Sequence, residues 1–222
     1  MMKKGISTCI SIGLLFLILF VNIRLFAFDS SFYDSFYENE YLNLEQPGIN
    51  VAEQMHHLLH YILGKEQSLD SSVFNEKEIK HMEDVKNLYQ KSRKISIICF
   101  IFGIFFVLIL KKQEPKKWKA YLSKQFIIVS FCLFIIILIL GLWAFTNFSD
   151  FWYRIHFLFF SNTLWLLDPT TDFLIRICPE ALFEKLLLKI SLGFIMIWIF
   201  FIGLSFWYLL KKAPIGFDQK NK

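Results

Sequence analysis

Residues 93–145 read RKISIICFIFGIFFVLILKKQEPKKWKAYLSKQFIIVSFCLFIIILILGLWAF, two apolar runs divided by a loop with six lysines, one glutamate and one proline. A helix needs about 20 apolar residues to cross the hydrocarbon core of a bilayer. The second run, residues 125–145, has that length. The first, residues 95–110, is short for a span, but no helix breaker separates it from the pattern before it, so one long helix is expected to continue beyond the bilayer. Two further runs qualify, residues 6–28 and 186–210. The expected fold is an all-α polytopic membrane protein with four transmembrane helices and an extracytoplasmic helical domain.

Composition supports this reading. Hydrophobic residues make up 55% of the chain, charged residues 19%, and there are 27 phenylalanines, whereas water-soluble domains carry about a quarter charged residues. The formal net charge of +5 does not point to a nucleic-acid partner, because the basic residues sit at the ends of apolar runs, where they act as topology signals. Lys3-Lys4, the loop 111–124 and the tail 211–222 hold 12 Lys+Arg against two acids, Glu114 and Asp218. Residues 28–94 hold seven against 12 acids, and residues 148–185 three against five. Short lysine-rich loops remain inside. Both termini are therefore expected in the cytoplasm, with segments 29–94 and 146–185 outside a plasma membrane. All five histidines fall in those outer segments. The first apolar run is long for a signal-peptide core, and RLFAFD is a poor cleavage site, so an uncleaved first span is expected. The scattered Cys9, Cys99, Cys132 and Cys178 show no metal or disulfide spacing and read as small buried apolar residues.

The outer segments carry the chemical variety. Residues 29–45 are rich in Tyr, Phe, Ser and acids and suit the membrane surface, and Pro47-Gly48 signals a turn. Val51, Met55, Leu58, Leu59 and Ile62 recur at helical spacing, with Gly64 as the stop. Ile79, Met82, Val85, Leu88 and Tyr89 mark a further helix. In the second outer segment the aromatics around Trp152 and Trp165 suit the headgroup layer, as a re-entrant or surface-lying stretch. Asp168-Pro169 reads as a helix start and Cys178-Pro179 as a restart.

Each candidate site residue has a plain and a sharper reading. His156, set among aromatics near Arg154, is either an interfacial side chain or a general base, since imidazole exchanges protons near neutral pH. His81 shares a helix face with Asp84, either as part of a charged surface or as an imidazole oriented by a carboxylate. His56 and His60 are spaced for a metal, but a third ligand must come from elsewhere. Arg24 either snorkels or lines a polar cavity. Ser149 and Ser161 lie near His156 without a nucleophile elbow.

The stretch RIHFLFFSNTLWLLDPTTDFLIRICPEALF (residues 154–183), with HMEDVKNLY (residues 81–89), resembles the lipoprotein intramolecular transacylase (Lit) family of Gram-positive bacteria. The resemblance rests on His156, Asn162, Trp165, Asp168-Pro169, Asp172 and Pro179-Glu180, and more weakly on His81 and Asp84. It implies a cofactor-free acyltransferase of lipoprotein maturation. Such an enzyme moves the sn-2 acyl chain of a diacylglyceryl-cysteine lipoprotein to the cysteine α-amine, forming the lyso form. Under it His156 and His81 are catalytic, Asp84, Asn162, Trp165, Asp168 and Asp172 support the site, and Arg24 and Arg154 are candidate substrate contacts. No metal is expected, membrane lipid surrounds the chain, and it is expected to act as a monomer. The residues alone also fit a membrane scaffold with an outer partner-binding domain, or a metal-dependent hydrolase built on His56 and His60.

Overall fold

The computed structural model describes residues 2–40 and 49–212, all organised around helices; among these residues there is no β-strand. The order is α1 (Met2–Phe26), α2 (Ser30–Glu40), α3 (Val51–Leu63), α4 (Glu76–Gln113), α5 (Trp118–Thr146), α6 (Phe148–Phe159), α7 (Phe173–Ile177) and α8 (Glu180–Lys212). Four of these, α1, α4, α5 and α8, are long and apolar enough to cross a membrane. The short run at 95–110 belongs to the 38-residue α4, about 57 Å of uninterrupted helix. The turn expected at Pro47-Gly48 lies outside the described residues.

The chain divides into two compact units. One comprises Met1–Leu19, Ile97–Leu138 and Phe194–Lys222. Its buried centre is Leu15, Ile18, Phe126, Phe194 and Trp198. Polar contacts inside it are few: Thr8 Oγ1 donates to Gln125 Oε1 (3.2 Å), Trp198 Nε1 to Ser130 Oγ (2.9 Å), and Lys3 pairs with Glu114. Its outer surface is strongly apolar, with Phe131 and Phe200 each 66% exposed. Such a surface is costly in water and suits lipid, where helices satisfy their own backbone. Cys9 and Cys132 are on this exposed surface, which corrects their reading as buried: a small apolar side chain can face hydrocarbon as readily as a core.

The other unit, Phe20–Ser96 and Ile139–Gly193, has a conventional core. Tyr33, Phe36 and Tyr37 of α2, Met55, Leu58 and Leu59 of α3, Met82 of α4 and Phe173, Leu174 and Ile177 of α7 are buried together. Residues 30–40 thus form a helix, with the Tyr37 hydroxyl donating to the Ile177 carbonyl (2.7 Å). Asn50 caps the start of α3, and Gly64 ends it with φ 78°, which places its N–H on the last carbonyls. That left-handed conformation favours glycine. A Cβ at Gly193 would collide with the Phe26 ring and the Asn22 side chain, so α8 approaches α1 closely there.

Asp168-Pro169 is not a helix start. It opens a turn in which the Asp168 carboxylate accepts from the Thr170 N–H (2.8 Å) and the Asp172 N–H reaches the Asp168 carbonyl (2.7 Å). The helix begins only at Phe173. The Asp168 carboxylate spends its capping capacity on this local turn, and Pro169 fits the turn equally well.

Candidate active site

α4 presents His81 and α6 presents His156 to the same place, with ring centroids 6.0 Å apart. Phe160 lies 5.2 Å from His81, while Trp152 and Trp165 lie 4.7 Å and 5.2 Å from His156. These groups line a cavity of about 660 Å³ walled by α3, α4 and α6 and by the stretch from Trp165 to Phe183. That volume suits a small-molecule or lipid-head ligand. Among the described residues Glu180 is the sole carboxylate lining it, and no lysine or arginine does. Ser149 Oγ donates to Glu180 (2.5 Å).

Burial disfavours the charged form of both imidazoles. Burial pushes His81 from 6.5 down to about 4, the adjacent His156 adds to the fall, and Asp84 opposes it. Burial likewise lowers His156, against a hydrogen bond to the Trp152 carbonyl that favours its charged form. This bond, from Nδ1 at 2.8 Å, fixes the tautomer. A carbonyl oxygen can only accept, so Nδ1 carries the proton and Nε2 the lone pair. Among the described residues, the buried His81 Nδ1 has no hydrogen-bond partner.

The expected orientation of His81 by Asp84 is not the hydrogen bond that forms. Asp84 accepts instead from Asn162 Nδ2 (2.8 Å), tying α4 to the loop after α6. Two residues three apart share a helix face, but here the carboxylate meets the loop amide. Asn162 also accepts from the Leu164 N–H, and its carbonyl takes the Trp165 indole N–H (2.8 Å), which sets the Trp165 ring beside His156. Asp168 and Asp172 do not line the cavity. Arg154 pairs with Asp150 on α6 (3.5 Å) and the exposed Arg24 stacks over Phe28 (5.4 Å); neither lines the cavity.

A pair of residues not singled out in the sequence organises this scaffold. Asn75 and Glu78 form a reciprocal cap at the start of α4: the Asn75 side chain accepts from the Glu78 N–H (3.0 Å), and Glu78 accepts from the Asn75 N–H (2.7 Å). The other oxygen of Glu78, which is 1% exposed, accepts from the Leu174 N–H (2.5 Å) and so caps α7 from 96 residues away. Asn75 Nδ2 donates to Asp172 (2.9 Å), whose second oxygen accepts from the Asp168 N–H (2.7 Å). His81 lies one turn beyond Glu78. The Asn-x-x-Glu spacing at 75–78 is the signal that marks this cap in the sequence.

The remaining histidines lie elsewhere. His56 contacts Asp34 (2.9 Å), and His57 and His60 share Glu66 (3.0 and 3.4 Å). Among the described residues no group of three His, Cys, Asp or Glu side chains is placed to hold a metal.

The family model for "Lipoprotein intramolecular transacylase Lit" matches residues 8–183, most of the chain. The chain belongs to the Lit family. It is accordingly a lipoprotein intramolecular transacylase and an integral membrane transferase. The Lit fold is also seen in solved structures. The membrane integral lipoprotein intramolecular transacylase Lit from Bacillus cereus matches with TM-score 0.69 and 22% identity, over 95% of this chain and 97% of that one. Two variants of that protein, with one histidine replaced by arginine or by alanine, match with TM-score 0.70 at 21% and 22% identity; each match covers 95% of this chain, and 93% and 95% of theirs. No curated protein sequence matches the chain.

Proposed function

We propose that this chain transfers the sn-2 acyl chain of a diacylglyceryl-cysteine lipoprotein to that cysteine's own α-amine, with His156 as base and His81 as the electrostatic partner. The observation that carries this reading is the pair of neutral imidazoles 6.0 Å apart in an apolar cavity. Rings this close can serve one reacting group, His156 toward the attacking amine and His81 toward the carbonyl oxygen.

The free lone pair on His156 Nε2 takes a proton as the amine nitrogen attacks the ester carbonyl. A C–N bond forms and the carbonyl oxygen becomes an oxyanion. An N–H of neutral His81 donates to that oxygen, and imidazole is effective there because it need not lose a charge. Collapse breaks the C–O bond to the glyceryl oxygen, which takes the proton back from His156. Atoms and charge balance within one molecule, so the gain comes largely from orientation. Where the substrate enters as its α-ammonium, Glu180 at the cavity wall takes the extra proton and passes it to solvent before the amine attacks.

In this reading segments 29–94 and 146–185, with the cavity, face outward, and the loop 111–124 and both termini are cytoplasmic. Its support is the lysine distribution. A reporter fused after residue 222 is expected to read cytoplasmic; an external signal overturns the orientation. The transfer conserves mass, so the reaction is tested by tandem mass spectrometry of a lipoprotein N-terminus, locating the acyl chain on nitrogen or on glycerol. His156→Ala, inserted normally, is expected to leave it on glycerol. Undiminished N-acylation in that variant overturns the assignment.

A further inference from the structure

The unit formed by Met1–Leu19, Ile97–Leu138 and Phe194–Lys222 has a groove of its own, about 380 Å³, between α1, α5 and α8. Its lining follows helical spacing on each: Ile10, Ser11 and Leu14; Trp118, Leu122 and Phe126; Leu204, Ser205 and Tyr208. The floor is apolar. The mouth is basic. Lys119 lines the groove and sits 5.4 Å from the Trp118 ring centre. Lys211 and Lys212 lie 5.2 Å and 5.9 Å from the rings of Trp207 and Tyr208, which also line it. Among the described residues none of these three ammonium groups has a carboxylate partner, and no carboxylate lines the groove. The nearby Glu114 is already engaged by Lys3.

We propose that this groove binds a phospholipid with an anionic headgroup, one acyl chain lying along the apolar floor and the phosphate meeting Lys119, Lys211 and Lys212. Three cations around an apolar slot complement that molecule and no simple anion. A free phosphate has nothing to fill the slot, and a zwitterionic lipid brings a choline that the lysines repel. Ammonium groups held beside aromatic rings at the edge of an apolar slot are suited to meet a phosphate there. The site is separate from the histidine cavity and does not depend on the reaction assigned to it.

The test uses the full-length protein in detergent, mixed with equal amounts of dioleoylphosphatidylglycerol and dioleoylphosphatidylcholine, with bound lipid counted by native mass spectrometry. One phosphatidylglycerol per chain is expected, favoured about ten-fold over phosphatidylcholine, with the preference falling below about two-fold in Lys119→Gln/Lys211→Gln/Lys212→Gln. Equal binding of both lipids to the wild type, or an undiminished preference in the triple variant, overturns the proposal. Because lysines at span ends also direct insertion, Ser205→Phe gives a second route: it fills the groove without altering charge and is expected to lose the bound lipid. Retention of the phosphatidylglycerol adduct in Ser205→Phe overturns the proposal even if the triple variant fails to insert. Transacylation assayed in phosphatidylcholine bilayers identifies correctly inserted variants.

Discussion

Two groups of histidines occupy one unit of the molecule under opposite conditions. On α3, His56, His57 and His60 are about half exposed and each faces a carboxylate. In the cavity, His81 and His156 are surrounded by aromatic rings, and among the described residues neither makes a hydrogen bond to a carboxylate. An exposed pair with an acid is weak and screened. A neutral imidazole in an apolar cavity keeps its lone pair for a substrate. Histidine count therefore says little about chemistry, whereas burial without an acid partner says a good deal.

The contrast breaks first at the cavity. Replacing His81 or His156 with alanine is expected to lower the turnover rate by about 10²–10⁴-fold, measured as N-acyl product in reconstituted vesicles. The double variant should be little worse than either single one, because the two act as a unit. Independent, multiplying losses would break the pairing.

Next comes the scaffold. Glu78→Ala strands two backbone N–H groups and is expected to cost roughly 3 kcal/mol, read as a lower thermal midpoint in detergent together with a fall in activity. A stable, fully active variant would show that the caps do not position His81.

Acid gives a smaller effect whose sign is fixed. His81 has its pKa lowered from 6.5 to about 4, so between those values the unfolded chain binds a proton that the folded chain does not. Folding is then unaffected above pH 6.5 and weakens as pH falls towards 4, by about 2 kcal/mol at pH 5. His81→Phe is expected to flatten that part of the stability profile; an unchanged slope would place the acid sensitivity elsewhere. The smallest effect belongs to α3. His57→Gln with His60→Gln should shift stability by less than about 0.5 kcal/mol and leave the product yield unchanged. A large loss there would erase the contrast.

Much of this was legible in the sequence because it is local. Apolar runs, flanking lysines, the Gly64 stop and the helical spacing of Met55, Leu58, Leu59 and Ile62 each follow from neighbours within a few residues. The two histidines of the cavity were legible as types in a setting, and by resemblance. The contacts that hold them were not. Asp84 to Asn162 spans 78 residues and Glu78 to Leu174 spans 96, and no local pattern ranks Asn162 above His81 as a partner for Asp84. The α2 helix was hidden for another reason. Its Ser, Tyr, Phe and Asp residues are weak helix formers, and the burial of Tyr33, Phe36 and Tyr37 decides its state. The short Asp168-Pro169 signal failed because one carboxylate can serve a turn or a helix.

The cap that Glu78 gives to α7 also has a direction in time. A helix of five residues is too short to persist without outside help. Chains are made from the N-terminus, so the carboxylate leaves the ribosome 96 residues before the N–H it accepts from. At about 5–20 residues per second, Glu78 exists for roughly 5–20 seconds before Leu174 does. The docking surface for this piece of the cavity wall is thus synthesised first, and is in place when α7 arrives.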